Sequence, residues 1–331
     1  KIKNLSSSRT IGISKNNLEF LRNEIHRFPK KFFWKINKIE IYSEKLEKEK
    51  LLEFENDKLF YMVKNDDLSN LLKSKTSKNE FFTKKLINKN TFYNDLLKKN
   101  KYDLIINCDP KNYLSKKFFT KKINKNYNNI AYTTILKHKK IKNNIATQIF
   151  TKNGPIAFLP LSNSETSVVC SLDTNIREYN DREVLDLISQ NNPKYQIQKT
   201  IKLSSFNLSS SNLRNYYYKN ILAFGDLLHR IHPLAGQGFN MTIRDIKVLS
   251  KIIQKKINLG LQLDSSILLD FEKETKNKNF IFSNGVDFIY QVFNFDKEIK
   301  DKNFNKVLKL IGKNKSLTNY FIKLADNGIN F

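Results

Sequence analysis

The sequence predicts an α/β fold with an inserted antiparallel sheet and a helical C-terminus, on three observations. The apolar run Ile221-Leu222-Ala223-Phe224 reads as a buried strand. It leads through Gly225-Asp226 and the closely spaced Gly236 and Gly238 into a helical pattern, with Ile243, Ile246, Leu249 and Ile253 three or four apart. Short apolar stretches between Gln148 and Leu172, broken by Lys152-Asn153-Gly154 and Ser162-Asn163-Ser164, fit antiparallel strands joined by polar turns. From Leu261 to Phe295 the spacing of Leu268, Phe271, Phe280, Phe282, Phe288 and Val292 is helical and leaves a broad apolar surface.

In chain order, Arg9-Thr10-Ile11-Gly12-Ile13-Ser14 precedes an amphipathic helix marked by Leu18, Phe20 and Leu21. Ile39-Glu40-Ile41-Tyr42-Ser43 alternates like a half-buried strand. Leu59 to Asn65, followed by Leu68, reads as a strand running into a helix. Between Lys73 and Lys101 no pattern emerges from the lysines and asparagines. Tyr102-Asp103-Leu104-Ile105-Ile106-Asn107-Cys108-Asp109 reads as a buried strand ending in an acid. Ser204–Asn212, rich in Ser and Asn, is expected to be a loop. Phe321, Ile322 and Leu324 continue the apolar surface of the C-terminal helices.

The stretch from Ala223 to Asp245 carries the chemistry. Strand, acidic turn, glycine turn and helix start, in that order, suit a loop that closely approaches a flat, phosphate-bearing cofactor. Glycines let backbone N–H groups reach a ligand with no Cβ in the way, and the new helix aims its positive end at negative charge. Asp226, at the strand end, is placed to accept hydrogen bonds from sugar hydroxyls.

Composition narrows the partners. The chain has 331 residues, 59 Lys and Arg against 32 Asp and Glu, and a net charge of +27. Its lysines are spread nearly everywhere rather than gathered on one element with interleaved aromatics, so specific nucleic-acid binding is not expected. The mix of Lys, Asn, Ile and Phe looks like the drift of an AT-rich genome. Attraction to anionic lipid fits better. The two cysteines, Cys108 and Cys170, form no framework and point to a reducing compartment. No apolar run approaches the ~20 residues of a membrane-spanning helix, and no signal peptide is visible. No Cys or His cluster completes a metal site.

The segment Gly225, Asp226, His229, Pro233, Gly236, Gly238, Asn240, Asp245 resembles the second FAD-binding motif of the group A flavoprotein monooxygenases. Within that family, His232-Pro233-Leu234-Ala235-Gly236-Gln237-Gly238 is most similar to the ubiquinone-biosynthesis hydroxylases. Arg9 to Ser14 resembles the family's R-x-x-A-L-S segment, whose arginine lies against FAD. Asp109 matches the acid of its Asp-Gly motif, but Pro110 replaces the glycine, Tyr113 the serine and Lys116 the arginine. Those departures put reduction by NAD(P)H in the usual manner in question. The G-x-G-x-x-G unit that should precede Arg9 is absent among the nine glycines. Since the chain starts at Lys1, the expectation is an N-terminally truncated chain that lacks the site for the ADP half of FAD.

The resemblance implies a Rossmann-like FAD/NAD(P)-binding domain formed discontinuously by residues 1–35, 61–125 and 211–262. It implies a substrate-binding β-sheet domain from 36–60 and 126–210, and a helical region over 263–331. By the same resemblance, FAD is held by Arg9, Asp109, Gly225, Asp226, Pro233, Gly236, Gln237, Gly238, Phe239 and Asn240. Pro233 and Gly236 position the reactive flavin edge, and Leu234 and Ala235 line the substrate pocket. His229 and His232 are read as packing or hydrogen-bonding residues ahead of acid/base catalysts.

The implied activity is hydroxylation of the aromatic ring of a polyprenylated quinone precursor by O₂, through a flavin C4a-hydroperoxide, with NAD(P)H or another electron donor. The expected location is cytoplasmic and peripheral to the inner membrane, in contact with anionic lipid or a quinone-biosynthesis complex. The apolar surface within 261–295 reads first as core and second as a membrane-contacting patch. Two alternatives stay open: another flavin oxidoreductase on the same scaffold, such as an isoprenoid-lipid reductase, and a non-catalytic lipid-binding accessory protein that has lost flavin.

Overall fold

The computed structural model describes residues 8–29, 31–44, 49–85, 93, 96–97, 102–175, 177–231, 236–298, 322–323, 326 and 328, without the side chains of 49, 57–58, 289–290 and 292–298. Its contacts divide the chain into two compact units. The first comprises 1–76, 127–208 and 289–327, and the second 77–126, 209–288 and 328–331. Residues 1–35 and 61–76 thus group with the large sheet, whereas their assignment to a cofactor domain rests on the resemblance.

The first unit is built on a sheet whose strands run in the order β1-β3-β2-β6-β7-β8-β5. These are β1 (Thr10–Ser14), β2 (Trp34–Ser43), β3 (Glu49–Lys64), β5 (Lys122–His138), β6 (Ile145–Thr151), β7 (Gly154–Pro160) and β8 (Glu165–Asp173). Strand β4 (Ile105–Asn107) belongs to the second unit. All pairs in that order are antiparallel except β2 with β6, which runs parallel from Lys38↔Ile145 to Ser43↔Phe150. A short strand β9 (Ile197–Thr200) pairs with β5. Helices α1 (Lys15–Glu24) and α2 (Asn65–Thr76) follow β1 and β3 directly.

Alternation along the strands sends successive side chains to opposite faces. Ile156, Phe158, Val168, Cys170 and Leu172, all buried, enter one face with Val184 and Ile188 of helix α4 (Asp181–Gln190). Helix α3 (Tyr113–Phe118) lies in the second unit. The other face carries Ile36, Met62 and Ala146, with Trp34, Phe60 and Leu159 around them. Helix α4 starts at a reciprocal capping box, in which Asn180 accepts from the Glu183 N–H and Glu183 accepts from the Asn180 N–H.

The second unit holds a three-stranded sheet, β11 (Tyr217–Tyr218), β12 (Ile221–Ala223) and β4, in that order. Strand β12 runs parallel to β4, with Ala223 opposite Asn107. Strand β10 (Ser204–Leu213), which begins in the first unit, pairs here with β13 (His229–Arg230). Helix α5 (Gln237–Asn258) and helix α6 (Ser266–Glu298) pack on this sheet. The core gathers Ile221, Leu222, Ala223, Phe224, Leu249, Ile252, Leu268 and Phe271.

Four expectations need correction. Ser204–Asn212 forms β10 rather than a loop, with Leu208, Ser210 and Ser211 buried. The strand expected from Tyr102 is only Ile105–Asn107, and Ile106 is 48% exposed. In α5, Ile243 and Leu249 are buried and Ile253 packs against the core as the spacing expects, but Ile246 points outward and Met241, Asp245 and Ile252 join the buried side. The C-terminal helix starts at Ser266, and its Phe280 and Phe288 are exposed while Leu268, Phe271 and Phe282 are buried. No helix among the described residues is long and apolar enough to cross a membrane.

Candidate functional site

The site grows out of one pairing. The Phe224 N–H donates to the Asn107 carbonyl at 2.9 Å, carrying the β4–β12 ladder one step past Ala223. The carboxyl ends of two parallel strands therefore lie side by side, the place where ligands bind in open α/β sheets. After β12 the chain enters a tight 3-10 turn, Gly225–Leu227. Gly225 has φ +57°, a backbone conformation that favours glycine. Asp226, next in the turn, is exposed while Gly225 and Leu227 are buried, so the turn presents a single carboxylate outward.

Cys108 and Asp109 leave β4 beside this turn. A Cβ added at Gly225 would sit 4.0 Å from Cβ of Cys108. The Cys108 thiol is pushed up, first by desolvation and second by the negative charge of Asp226. Asp109 is held by its own turn: Oδ1 accepts the Lys111 N–H at 2.8 Å and its carbonyl accepts the Ser115 hydroxyl at 2.5 Å. Ser115 also receives the Asn107 side-chain amide at 2.9 Å, and Asn112 caps α3 through the Ser115 N–H at 2.9 Å. Pro110 brings no N–H to this turn, so the donors there come from Lys111 and Ser115.

Helix α5 opens at Gly236, which is left-handed at φ 65°. The helix has no side-chain N-cap bond and no acidic residue in its first turn. Its first turn therefore offers terminal N–H groups and the positive helix end with no acid of its own to oppose a bound anion. The Asn240 amide donates to the Gly236 carbonyl at 3.3 Å, and the Gln237 Oε1 is buried without a hydrogen-bond partner. Phe239 is half-buried on the same turn. Among the described residues a Cβ at Gly238 would meet only Cγ1 of Ile231, at an ordinary 3.9 Å. Its bareness makes sense against something approaching from outside.

One buried network fixes this loop, and sequence reasoning did not find it. His229 Nε2 hydrogen-bonds Asp245 Oδ2, both side chains almost fully buried, and Asp245 Oδ1 accepts the Asn279 amide at 3.0 Å. His229 also faces Asn212 in the β10–β13 pair, and Asn212 donates to Ser283 at 2.8 Å. His229 Nδ1 is buried without a hydrogen-bond partner. His229 is therefore tied to Asp245 of α5 and, through it, to Asn279 of α6. His229 and Asp245 were legible as motif positions, but nothing in their 16-residue separation announces a contact.

The structure brings Asp109, Gly225, Asp226, Gly236, Gln237, Gly238, Phe239 and Asn240 into the second unit. Arg9 belongs to the first, where its carbonyl accepts the Asn65 N–H at 3.0 Å and its side chain is exposed. His232, Pro233, Leu234 and Ala235 lie outside the described residues. Among the described residues no cluster of His, Cys, Asp or Glu could hold a metal ion. The uncapped helix end, the bare Gly238 and the exposed Asp226 fit a dinucleotide carrying anionic groups and sugar hydroxyls.

Residues 119–276 match the FAD binding domain family. The ubiquinone biosynthesis monooxygenase COQ6 of Dictyostelium discoideum is 27% identical over 183 residues, 44% of this chain and 37% of that protein. The 3-demethoxyubiquinol 3-hydroxylase of Escherichia coli is 30% identical over 152 residues, 44% of this chain and 39% of that protein. COQ6 of Schizosaccharomyces pombe is 24% identical over 273 residues, 68% of this chain and 57% of that protein. The chain spans less than two thirds of the length of these relatives. Among solved structures, p-nitrophenol 4-monooxygenase PnpA from Pseudomonas putida aligns with a TM-score of 0.70 at 12% identity, covering 98% of this chain and 91% of that one. Klebsiella pneumoniae HpxO, complexed with FAD and uric acid, aligns with a TM-score of 0.68 at 11% identity, covering 99% and 89%. The fold is the one these flavin-dependent enzymes share.

Proposed function

We propose, from the premise that this chain belongs to the FAD-dependent monooxygenases allied with the ubiquinone-biosynthesis hydroxylases, that it holds FAD at the carboxyl ends of β4 and β12. The whole protein then hydroxylates the aromatic ring of a lipophilic quinone precursor with O₂. The observation that carries the reading is the N-terminus of α5, with no side-chain cap and no acid in its first turn, together with the outward carboxylate of Asp226 at the end of β12 and a glycine at 238 that no neighbour among the described residues requires.

Bound FAD supplies the electron-transfer and oxygen-transfer chemistry. Asp226 accepts hydrogen bonds from its sugar or ribityl hydroxyls. The first N–H groups of α5, from Gln237 to Asn240, would hold negative charge on the bound cofactor, as oxyanion-type donors do. Asp109 offers a second contact from the neighbouring strand end, with its carboxylate already fixed by the Lys111 N–H. The resemblance further assigns Arg9 and Pro233 to the flavin, and Leu234 and Ala235 to the substrate pocket. Electrons come from NAD(P)H or another donor. The substrate class places the protein at the face of a membrane, in contact with anionic lipid or a quinone-biosynthesis complex.

The test is an absorption spectrum of the protein expressed from its complete reading frame, after incubation with FAD and desalting. Retained visible bands of oxidised flavin, lost in Asp226→Ala, support the site as drawn. A colourless wild-type protein favours the accessory reading, which the Asp109-Pro110 departure motivates. With flavin bound, incubation with a polyprenylated phenol and an electron donor separates the enzymes. A product heavier by one oxygen supports the hydroxylase, and a reduced isoprenoid chain the alternative oxidoreductase.

A further inference from the structure

The turn between α5 and α6 presents an apolar tip that the cofactor site does not use. Ile257, Leu259, Leu261 and Leu263 are 52%, 62%, 52% and 39% exposed. The tip is ordered by its own bonds. Gly260, at φ +65°, donates its N–H to the Ile257 carbonyl at 3.0 Å, and the Leu261 N–H reaches the Lys256 carbonyl at 2.9 Å, closing a Schellman turn. In such turns the residue after the glycine usually packs on the apolar side chain three or four positions inside the helix end. Here those positions are Lys256 and Lys255 rather than apolar residues, and Leu261 stays half-exposed. At the far side Lys256 Nζ is held by Ser266 Oγ at 2.5 Å and by Asp264 at 3.8 Å, which neutralises the only acid of the turn. Lys251 and Lys255 remain as cations, lining a shallow depression with Leu259.

We propose that this tip inserts into the surface of an anionic phospholipid bilayer, its aliphatic side chains among the acyl chains and Lys251 and Lys255 at the headgroups. Interfacial binding needs exactly two ingredients, buried apolar area and attraction to anionic lipid, and both are present within one turn on a chain of net charge +27. A protein partner fits less well. A stable interface covers about 800 Å² per partner, far more than a handful of half-exposed aliphatics supplies. The tip lies at the opposite end of the 22-residue α5 from Gly236, about 33 Å away at 1.5 Å per residue, so insertion leaves the cofactor turn uncovered. The inference deepens the lipophilic-substrate reading but is tested independently of it.

The experiment is co-sedimentation of the full chain with phosphatidylcholine vesicles, with and without phosphatidylglycerol, at physiological ionic strength. Wild type binds the anionic vesicles. Leu259→Ser/Leu261→Ser weakens that binding by about tenfold or more, because two exposed apolar side chains lose their gain on insertion. Lys251→Gln/Lys255→Gln weakens it severalfold on anionic vesicles only. Phe81→Ser, altering an 89% exposed aromatic elsewhere in the same unit, leaves it unchanged. All these positions are exposed, so melting temperature checks that folding is intact. Binding that survives the double leucine variant within twofold overturns the proposal and assigns adsorption to the basic surface as a whole. A lipid-free wild type that sediments as a dimer, with the leucine variant monomeric, overturns it in favour of a second copy. Flavin retention in the same variants reports separately on the cofactor site.

Discussion

Gly238 separates what the fold needs from what a ligand needs. The position has room for a methyl group, since an added Cβ would only touch Ile231 at 3.9 Å. Alanine there reduces the backbone freedom lost on folding. Gly238→Ala is therefore expected to raise the stability of the FAD-free protein by a few tenths to about 1 kcal/mol, while weakening FAD binding. Thermal melts without FAD and a fluorescence titration with FAD read the two effects apart. Unchanged affinity would remove close cofactor approach at this turn. The His229–Asp245 pair makes the opposite prediction. His229→Leu strands the Asp245 carboxylate with only Asn279, and breaking a buried pair in this way costs about 3–5 kcal/mol. His229→Asn, which keeps a donor, should recover part of that loss in urea unfolding. The sequence displays both residues at motif positions, and Gly225, Asp226, Gly236 and Gly238 fall where their spacing suggests. That His229 meets Asp245 becomes visible only when β13 and α5 are laid side by side, because a strand residue and one two turns into the next helix share no periodicity.

At the scale of elements, amphipathic patterns were readable and composition misled. Strand β12, helix α5, the β3-to-α2 junction and the β6–β7–β8 meander follow from apolar spacing and from turns at Lys152-Asn153 and Ser162-Asn163-Ser164. Strand β10 does not, because Ser and Asn locally prefer turns. It forms because neighbouring strands satisfy its backbone, and small serines at 210 and 211 pack where larger residues would not. Gly154 shows how tightly the meander is built. It adopts φ +138°, and a Cβ there would run into the backbone carbonyl of Ser171 in β8. Neither atom sits on a flexible side chain, so the strands must shift. Gly154→Ala is expected to destabilise the protein by about 3 kcal/mol or more, since backbone strain and lost packing combine. A urea midpoint within error of wild type would show that β7 and β8 can part without loss.

For the whole molecule the governing quantity is charge. With 59 cations against 32 carboxylates, the paired charges gather in small clusters. Glu53 meets Lys50 and Lys38, and Glu165 meets Lys64 and Lys137. Lys38 also meets Glu55, and Lys50 also meets Glu40. The Glu53 carboxyl is held below its ordinary range, chiefly by the hydrogen bond from Lys50 and then by that from Lys38. A carboxylate lowered in the folded state contributes stability that is fully present above its unfolded value, about 4.3 for Glu, and is lost as pH falls through the lowered folded value. Acid therefore acts twice, removing the bridges and adding to a positive charge that already repels itself. Stability is expected to fall steeply as pH drops below about 4.5, and Glu53→Gln should flatten part of that fall while lowering stability at neutral pH. Added salt screens the long-range repulsion more than the close pairs, so at neutral pH the melting temperature should rise by a few degrees as salt is raised from low to about 0.3 M. A melting temperature that falls with salt would mean the bridges outweigh the repulsion, and the lysine excess would then be balanced by the fold rather than carried as strain.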